Sequence, residues 1–100
     1  MTINKKINSE SMNKLFNYIL SLESIDECYD FFQGLCTVNE LKSFIQRVDV
    51  ADMLIDGKTY IEICDETKAS TATISRVNRS LNEAFNRYTD ILLKLKERES

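Results

Sequence analysis

One hundred residues, 43% of them apolar and 29% charged, fit a single globular domain with a modest core and exclude a disordered chain. The chain has no proline, two glycines and no histidine, which favours long helices joined by short caps and argues against a Cys/His zinc site. The net charge of −3 speaks against nucleic acid only superficially: residues 1–67 hold six Lys/Arg against twelve Asp/Glu, and residues 68–100 hold seven against four.

No stretch approaches the roughly 20 apolar residues that span a bilayer, so no membrane partner is expected. The first ten residues carry two lysines with no apolar run behind them, unlike a secretory signal. Cys28, Cys36 and Cys64 are an odd count without CxxC spacing. They read as reduced, partly buried thiols of a cytoplasmic protein.

In chain order, residues from about Ser9 to Leu22 place Met12, Leu15, Phe16, Ile19, Leu20 and Leu22 on a broad stripe. Three segments then match the capping box, in which an N-cap hydroxyl meets the N3 amide and the N3 carboxylate reaches back: Ser24 with Glu27, Thr37 with Glu40, and Thr59 with Glu62. The first opens a helix gathering Ile25, Cys28, Tyr29, Phe31 and Phe32, with Gly34 as its expected stop. The second opens a long helix with Val38, Leu41, Phe44, Ile45, Val48, Ala51 and Ile55 at spacings of three and four, ending at Gly57. The third opens a short helix, 59–66, expected to bury Ile61 with Tyr60 and Cys64. After Lys68-Ala69-Ser70 a helix over 71–81 should bury Ile74, Val77 and Leu81. Phe85, Tyr88, Ile91, Leu92 and Leu95 then form a last stripe. The expected fold is all-α, about six helices, with no strand pattern.

The segment 59–81 has the layout of a helix-turn-helix, whose second helix enters the DNA major groove. Residues 67–82 contain no acid. The short residues Ala69, Ser70, Thr71, Ala72 and Thr73 let a backbone approach base edges, and Ser70 can cap the helix. The hydroxyls of Thr71, Thr73 and Ser75 can meet phosphates or bases, and the Ala72 methyl can meet a thymine methyl. Lys68, Arg76 and Arg79 supply charge for phosphate or guanine. Taken singly, a Ser/Thr-rich helix start is a cap and surface arginines are solvated charges. Their combination is what points to double-stranded DNA.

The wide stripes at residues 9–56 and 83–97 exceed what one small bundle absorbs, so a homodimer is expected, with those segments as its dimerisation helices. Pairing also suits recognition, because two-fold symmetry sets recognition helices about 34 Å apart. The main functional expectation is therefore a sequence-specific transcriptional regulator, a repressor. The alternative is a helical protein-interaction module that binds no DNA. No catalytic residues, metal ligands or cofactor are expected: there is no histidine and no glycine-rich phosphate loop.

The run Phe31–Glu40, the segment Ile45-Gln46-Arg47-Val48, the stretch Asp56–Tyr60 and above all Ala69–Val77 resemble the Trp repressor superfamily, most nearly its YerC/YecD branch. The similarity covers roughly residues 12–82 and fades beyond. It implies an intertwined all-helical homodimer that regulates transcription. It also implies an effector site at Thr37, Arg47, Arg76 and Ser80, the positions matching the repressor's corepressor pocket. Two departures stand out. Val77 occupies a glycine position and should crowd an indole, so any small-molecule effector is expected not to be L-tryptophan. Lys68 occupies the glycine position of the turn, where a left-handed backbone costs of order 1 kcal/mol.

Overall fold

A computed structural model describes residues 9–83 and 87–99. Its elements are α1 (Ser9–Leu20), α2 (Ile25–Leu35), α3 (Val38–Ile55), α4 (Tyr60–Thr67), α5 (Thr71–Asn82) and α6 (Tyr88–Glu99), and no strand occurs among the described residues. The contacts divide into two compact units, Met1–Leu41 and Lys42–Ser100, with the boundary inside α3.

The helix starts follow local chemistry. At Thr37 the capping box is complete: the Glu40 amide donates to Thr37 Oγ1 at 3.1 Å, and the Thr37 amide donates to Glu40 Oε1 at 2.8 Å. Hydrogen bonding to its carboxylate, from the Thr37 backbone amide first and the Thr37 side chain second, holds the Glu40 carboxyl below its ordinary value of 4.5. Ser24 caps α2 through the Glu27 amide at 3.1 Å, but the Glu27 carboxylate accepts from the Glu23 amide, one residue earlier than a box requires. Thr59 caps α4 through the Glu62 amide at 3.2 Å and donates its own hydroxyl to Glu62 Oε1.

The stops differ more from expectation. Gly34 does not end α2. The helix continues through Leu35 to a C-cap at Cys36, whose extended backbone (φ −121°) breaks the α geometry. Gly57 does end α3. It sits at φ 83°, its amide donates to Leu54 O, and the Lys58 amide donates to Met53 O, both at 3.0 Å. This is the six-to-one and five-to-two pairing that only a left-handed residue completes.

In the first unit α1 and α2 bury no side chain completely. Phe31 and Phe32 meet edge to face, ring centres 5.3 Å apart, while Leu20, Ile25 and Tyr29 are 80%, 71% and 63% exposed.

The second unit has a dry core of Val50, Ala51, Ile63, Ala69, Ile74, Val77 and Leu92, flanked by Met53, Leu54, Ile55, Cys64, Leu81 and Tyr88. Ile63, Ile74 and Val50 are fully buried, and each such side chain contributes about 1.5–3 kcal/mol. The expected stripes are corrected at three places. On α4 the core residue is Ile63, whereas Ile61 is 82% exposed. On α3 the stripe members Val38, Phe44, Ile45 and Val48 are exposed, and Val50, absent from that stripe, is buried beside Ala51. On α6 Leu92 is buried, while Ile91 and Leu95 are exposed; Phe85 lies outside the described residues. The cause is common to all three. An apolar stripe wider than the neighbouring surface cannot all be covered, and packing of α3 to α6 selects which edge goes in.

Two contacts tie α6 down. Thr89 Oγ1 donates to Leu81 O at 2.8 Å, satisfying a carbonyl in the last turn of α5. Lys96 Nζ lies 3.3 Å from Asp56 and 3.8 Å from Asp52 on α3. The three cysteines are free and half-buried.

Candidate nucleic-acid interface

The candidate interface is built from α4, the turn at 68–70 and α5. The fully buried Ile63 on α4 and Ile74 on α5, joined by Val77 and Ala69, belong to the same core. Burial of those positions obliges the opposite face of α5 to point outward, and Thr71, Ala72, Ser75, Arg76 and Arg79 are all exposed. No acidic residue lies between 67 and 82, and three cations, Lys68, Arg76 and Arg79, are exposed on this surface, with Lys68 bordering a cleft that it shares with Glu62 and Asp65 of α4.

Ser70 starts α5 as expected, with extended backbone (φ −72°, ψ 158°) and an Oγ that accepts from the Thr73 amide at 3.1 Å. The same hydroxyl donates to Thr73 Oγ1 at 3.1 Å, so half-buried Thr73 spends its side chain on the cap. Ala69 departs from the expected set more clearly. Its side chain is buried in the core and its amide donates to Thr67 Oγ1 at 3.2 Å, so it shapes the turn and presents no surface. The residues left open to a ligand are therefore Lys68, Ser70, Thr71, Ala72, Ser75, Arg76 and Arg79.

Lys68 is left-handed, at φ 62° and ψ 15°, and it is the one non-glycine residue with positive φ among the described residues. Several bonds hold it there. Its amide donates to Cys64 O at 2.9 Å, and Thr67 Oγ1 donates to Ile63 O at 2.7 Å while accepting from Ala69. Gln46 Nε2 on α3 donates to Thr67 O at 3.1 Å. Neither Gln46 nor Thr67 stands out by residue type or spacing. The faint signal is a threonine one residue before a turn, where back-bonding to the carbonyl four residues earlier is common.

Of the residues matching the corepressor pocket, Arg47 is exposed with its guanidinium 5.9 Å from the Phe44 ring centre, Arg76 is exposed, and Ser80 is half-buried. Thr37, which belongs to the first unit, is exposed and engaged in its capping box. Among the described residues no group of three or more His, Cys, Asp or Glu is placed to hold a metal ion, and no helix is long and apolar enough to cross a membrane.

Comparison with known proteins supplies the family. The chain is 50% identical over 95 residues to YerC of Bacillus subtilis (strain 168), itself uncharacterized, covering 95% of this chain and 91% of that protein. The crystal structure of a TrpR-like protein from Eubacterium eligens ATCC 27750 superposes with a TM-score of 0.86 at 48% identity, covering 93% of this chain and 96% of that one. A candidate Trp repressor from Staphylococcus aureus gives 0.86 at 49% identity, covering 96% and 95% of the two chains. The family model described as Trp repressor protein matches residues 10–96. With six helices among the described residues, an exposed outer face on α5 and these likenesses over nearly its whole length, the chain belongs to the Trp repressor family, a regulatory family and not an enzymatic one.

Proposed function

We propose that the protein is a sequence-specific DNA-binding transcriptional regulator, a cytoplasmic repressor that acts as a homodimer and reads double-stranded DNA through α5. The observation that carries this reading is the outer face of α5: Thr71, Ala72, Ser75, Arg76 and Arg79 exposed, with no acidic residue between 67 and 82. Membership of a regulatory family supports it. The acidic remainder, net −6 over residues 1–67 from six basic and twelve acidic side chains, is repelled by phosphate and helps orient docking.

A second copy is the occupant proposed for the apolar surface of α1 and α2, since a unit that buries none of those helices' side chains lacks a core of its own. In such a dimer the two α5 helices would meet successive major grooves. A small-molecule effector that meets Arg47, Arg76 and Ser80 is part of the proposal, and it is expected not to be L-tryptophan. Val77, 5% exposed, stands where the family resemblance implies glycine, and its branched side chain is expected to crowd an indole.

Fluorescence anisotropy with a random-sequence duplex across a salt series tests the DNA reading. Binding should appear at low salt, and Arg76→Ala and Arg79→Ala should each weaken it and lower the salt slope by about one per lost phosphate contact. Absence of binding at low salt would leave the second reading, a helical protein-interaction module that uses an apolar patch on the first or last helix. Sedimentation equilibrium tests the dimer.

A further inference from the structure

The turn at 67–69 is held more tightly than a surface turn needs, and one of its bonds comes from outside the helix-turn-helix. The peptide joining Thr67 to Lys68 is pinned at both ends: its N–H donates to Cys64 O at 2.9 Å, and its C=O accepts from Gln46 Nε2 at 3.1 Å. The next peptide is pinned through the Ala69 amide, which donates to Thr67 Oγ1 at 3.2 Å. Both planes flanking the Lys68 Cα are thus fixed, and with them the dihedrals that set the direction in which α5 leaves the turn. The bonds from Cys64 and Thr67 are local and travel with α4. Gln46 lies 21 residues away, on α3. A left-handed non-glycine residue persists only where its surroundings over-determine it.

We propose that Gln46 is a positioning residue for the DNA-reading helix: it clamps the last carbonyl of α4 from α3, holds Lys68 left-handed, and so sets the angle at which α5 is presented. This inference rests on the DNA-binding reading and adds to it a residue that touches no DNA. Thr67 is its local counterpart, and Arg76 and Arg79 are the groups whose placement depends on it.

The test is Gln46→Met, which keeps the volume and removes the donor, studied well below its melting temperature by duplex anisotropy over a salt series and by amide hydrogen exchange. The expected result is an intact helical spectrum, roughly fivefold weaker duplex binding, which is about 1 kcal/mol at 1.4 kcal/mol per decade, and an unchanged salt slope, because no phosphate contact is lost. The Lys68 and Ala69 amides should exchange faster than in the parent. A merely structural role would leave the affinity of the folded protein unchanged, and that result overturns the proposal. Should Gln46→Met fail to fold, Gln46→Glu serves instead, since a carboxylate of the same shape has no proton to donate. If the parent binds and the folded variant binds equally well, this inference alone fails. If the parent binds no duplex at all, the functional reading fails and takes the inference with it.

Discussion

Replacing Lys68 with glycine isolates the energetic cost built into the turn. A left-handed backbone costs an L-residue about 1–2 kcal/mol. Glycine escapes that cost but loses more freedom on folding, about 0.5–1 kcal/mol. The Lys68 side chain is exposed, so little packing is lost with it. The difference is a net stabilisation of about 0.5–1 kcal/mol for Lys68→Gly, or about 2–5 °C in Tm for a chain of this size. Thermal denaturation followed by far-UV circular dichroism, at one fixed protein concentration, measures it; concentration must be matched because any self-association shifts Tm by mass action. Lys68→Ala is the control, since it keeps the left-handed Cβ and removes only the charge. It should not be stabilised. If Lys68→Gly melts at or below the parent, or if alanine raises Tm as much as glycine does, the left-handed turn is not a source of strain. Both variants should lose duplex affinity equally if the ammonium meets phosphate.

The remaining expectations concern the core and two titrating groups. Ile63→Ala should destabilise by about 2–5 kcal/mol, and Ile61→Ala by no more than about 0.5 kcal/mol, in matched denaturant titrations; comparable losses would mean that α4 is rotated from the arrangement described. The Glu40 carboxyl is lowered by hydrogen bonding from Thr37, backbone first. Its contribution is therefore present above the ordinary carboxylate value of 4.5 and is lost as pH falls through the lower folded value. Glu40→Gln should flatten the acid limb of the stability–pH curve, and an identical limb would argue against the box. Tyr88 is raised above 10.0, first by burial and then by Asp52. The stability it contributes is thus present below 10 and lost as pH rises through its folded value. In an alkaline titration followed by tyrosinate absorbance, Asp52→Asn should bring one phenol back toward 10.

What could be read from residue order, and what waited for packing, divides along the range of the forces involved. Helix starts are local: a hydroxyl, an amide three residues on and a carboxylate suffice, so Thr37, Thr59 and Ser70 were legible as caps before any tertiary contact was known. The same holds for Gly57 as a stop and for the basic, acid-free outer face of α5. Lys68 was recognisable as a strained turn position through the family resemblance, which implies glycine there, and chirality then sets the cost of a left-handed backbone.

Choices between equivalent faces were not legible. The eight-residue α4 carries Tyr60, Ile61, Ile63 and Cys64 on an arc of about 160° with Ile61 and Ile63 at its two edges, and periodicity cannot choose between those edges. The neighbouring helices choose, by covering one side. Gly34 looked like a stop because glycine is permissive, yet permissiveness forbids nothing, and the helix carried on to Cys36. Ala69 looked like a small residue left clear for DNA and proved to be buried in the core at the turn. The bond from Gln46 to Thr67 joins positions 21 residues apart and depends on where α3 lies beside α4. Hydrogen bonds within one turn of helix follow from spacing along the chain, whereas burial and cross-helix bonds depend on which surfaces meet, and that is a property of the assembled helices.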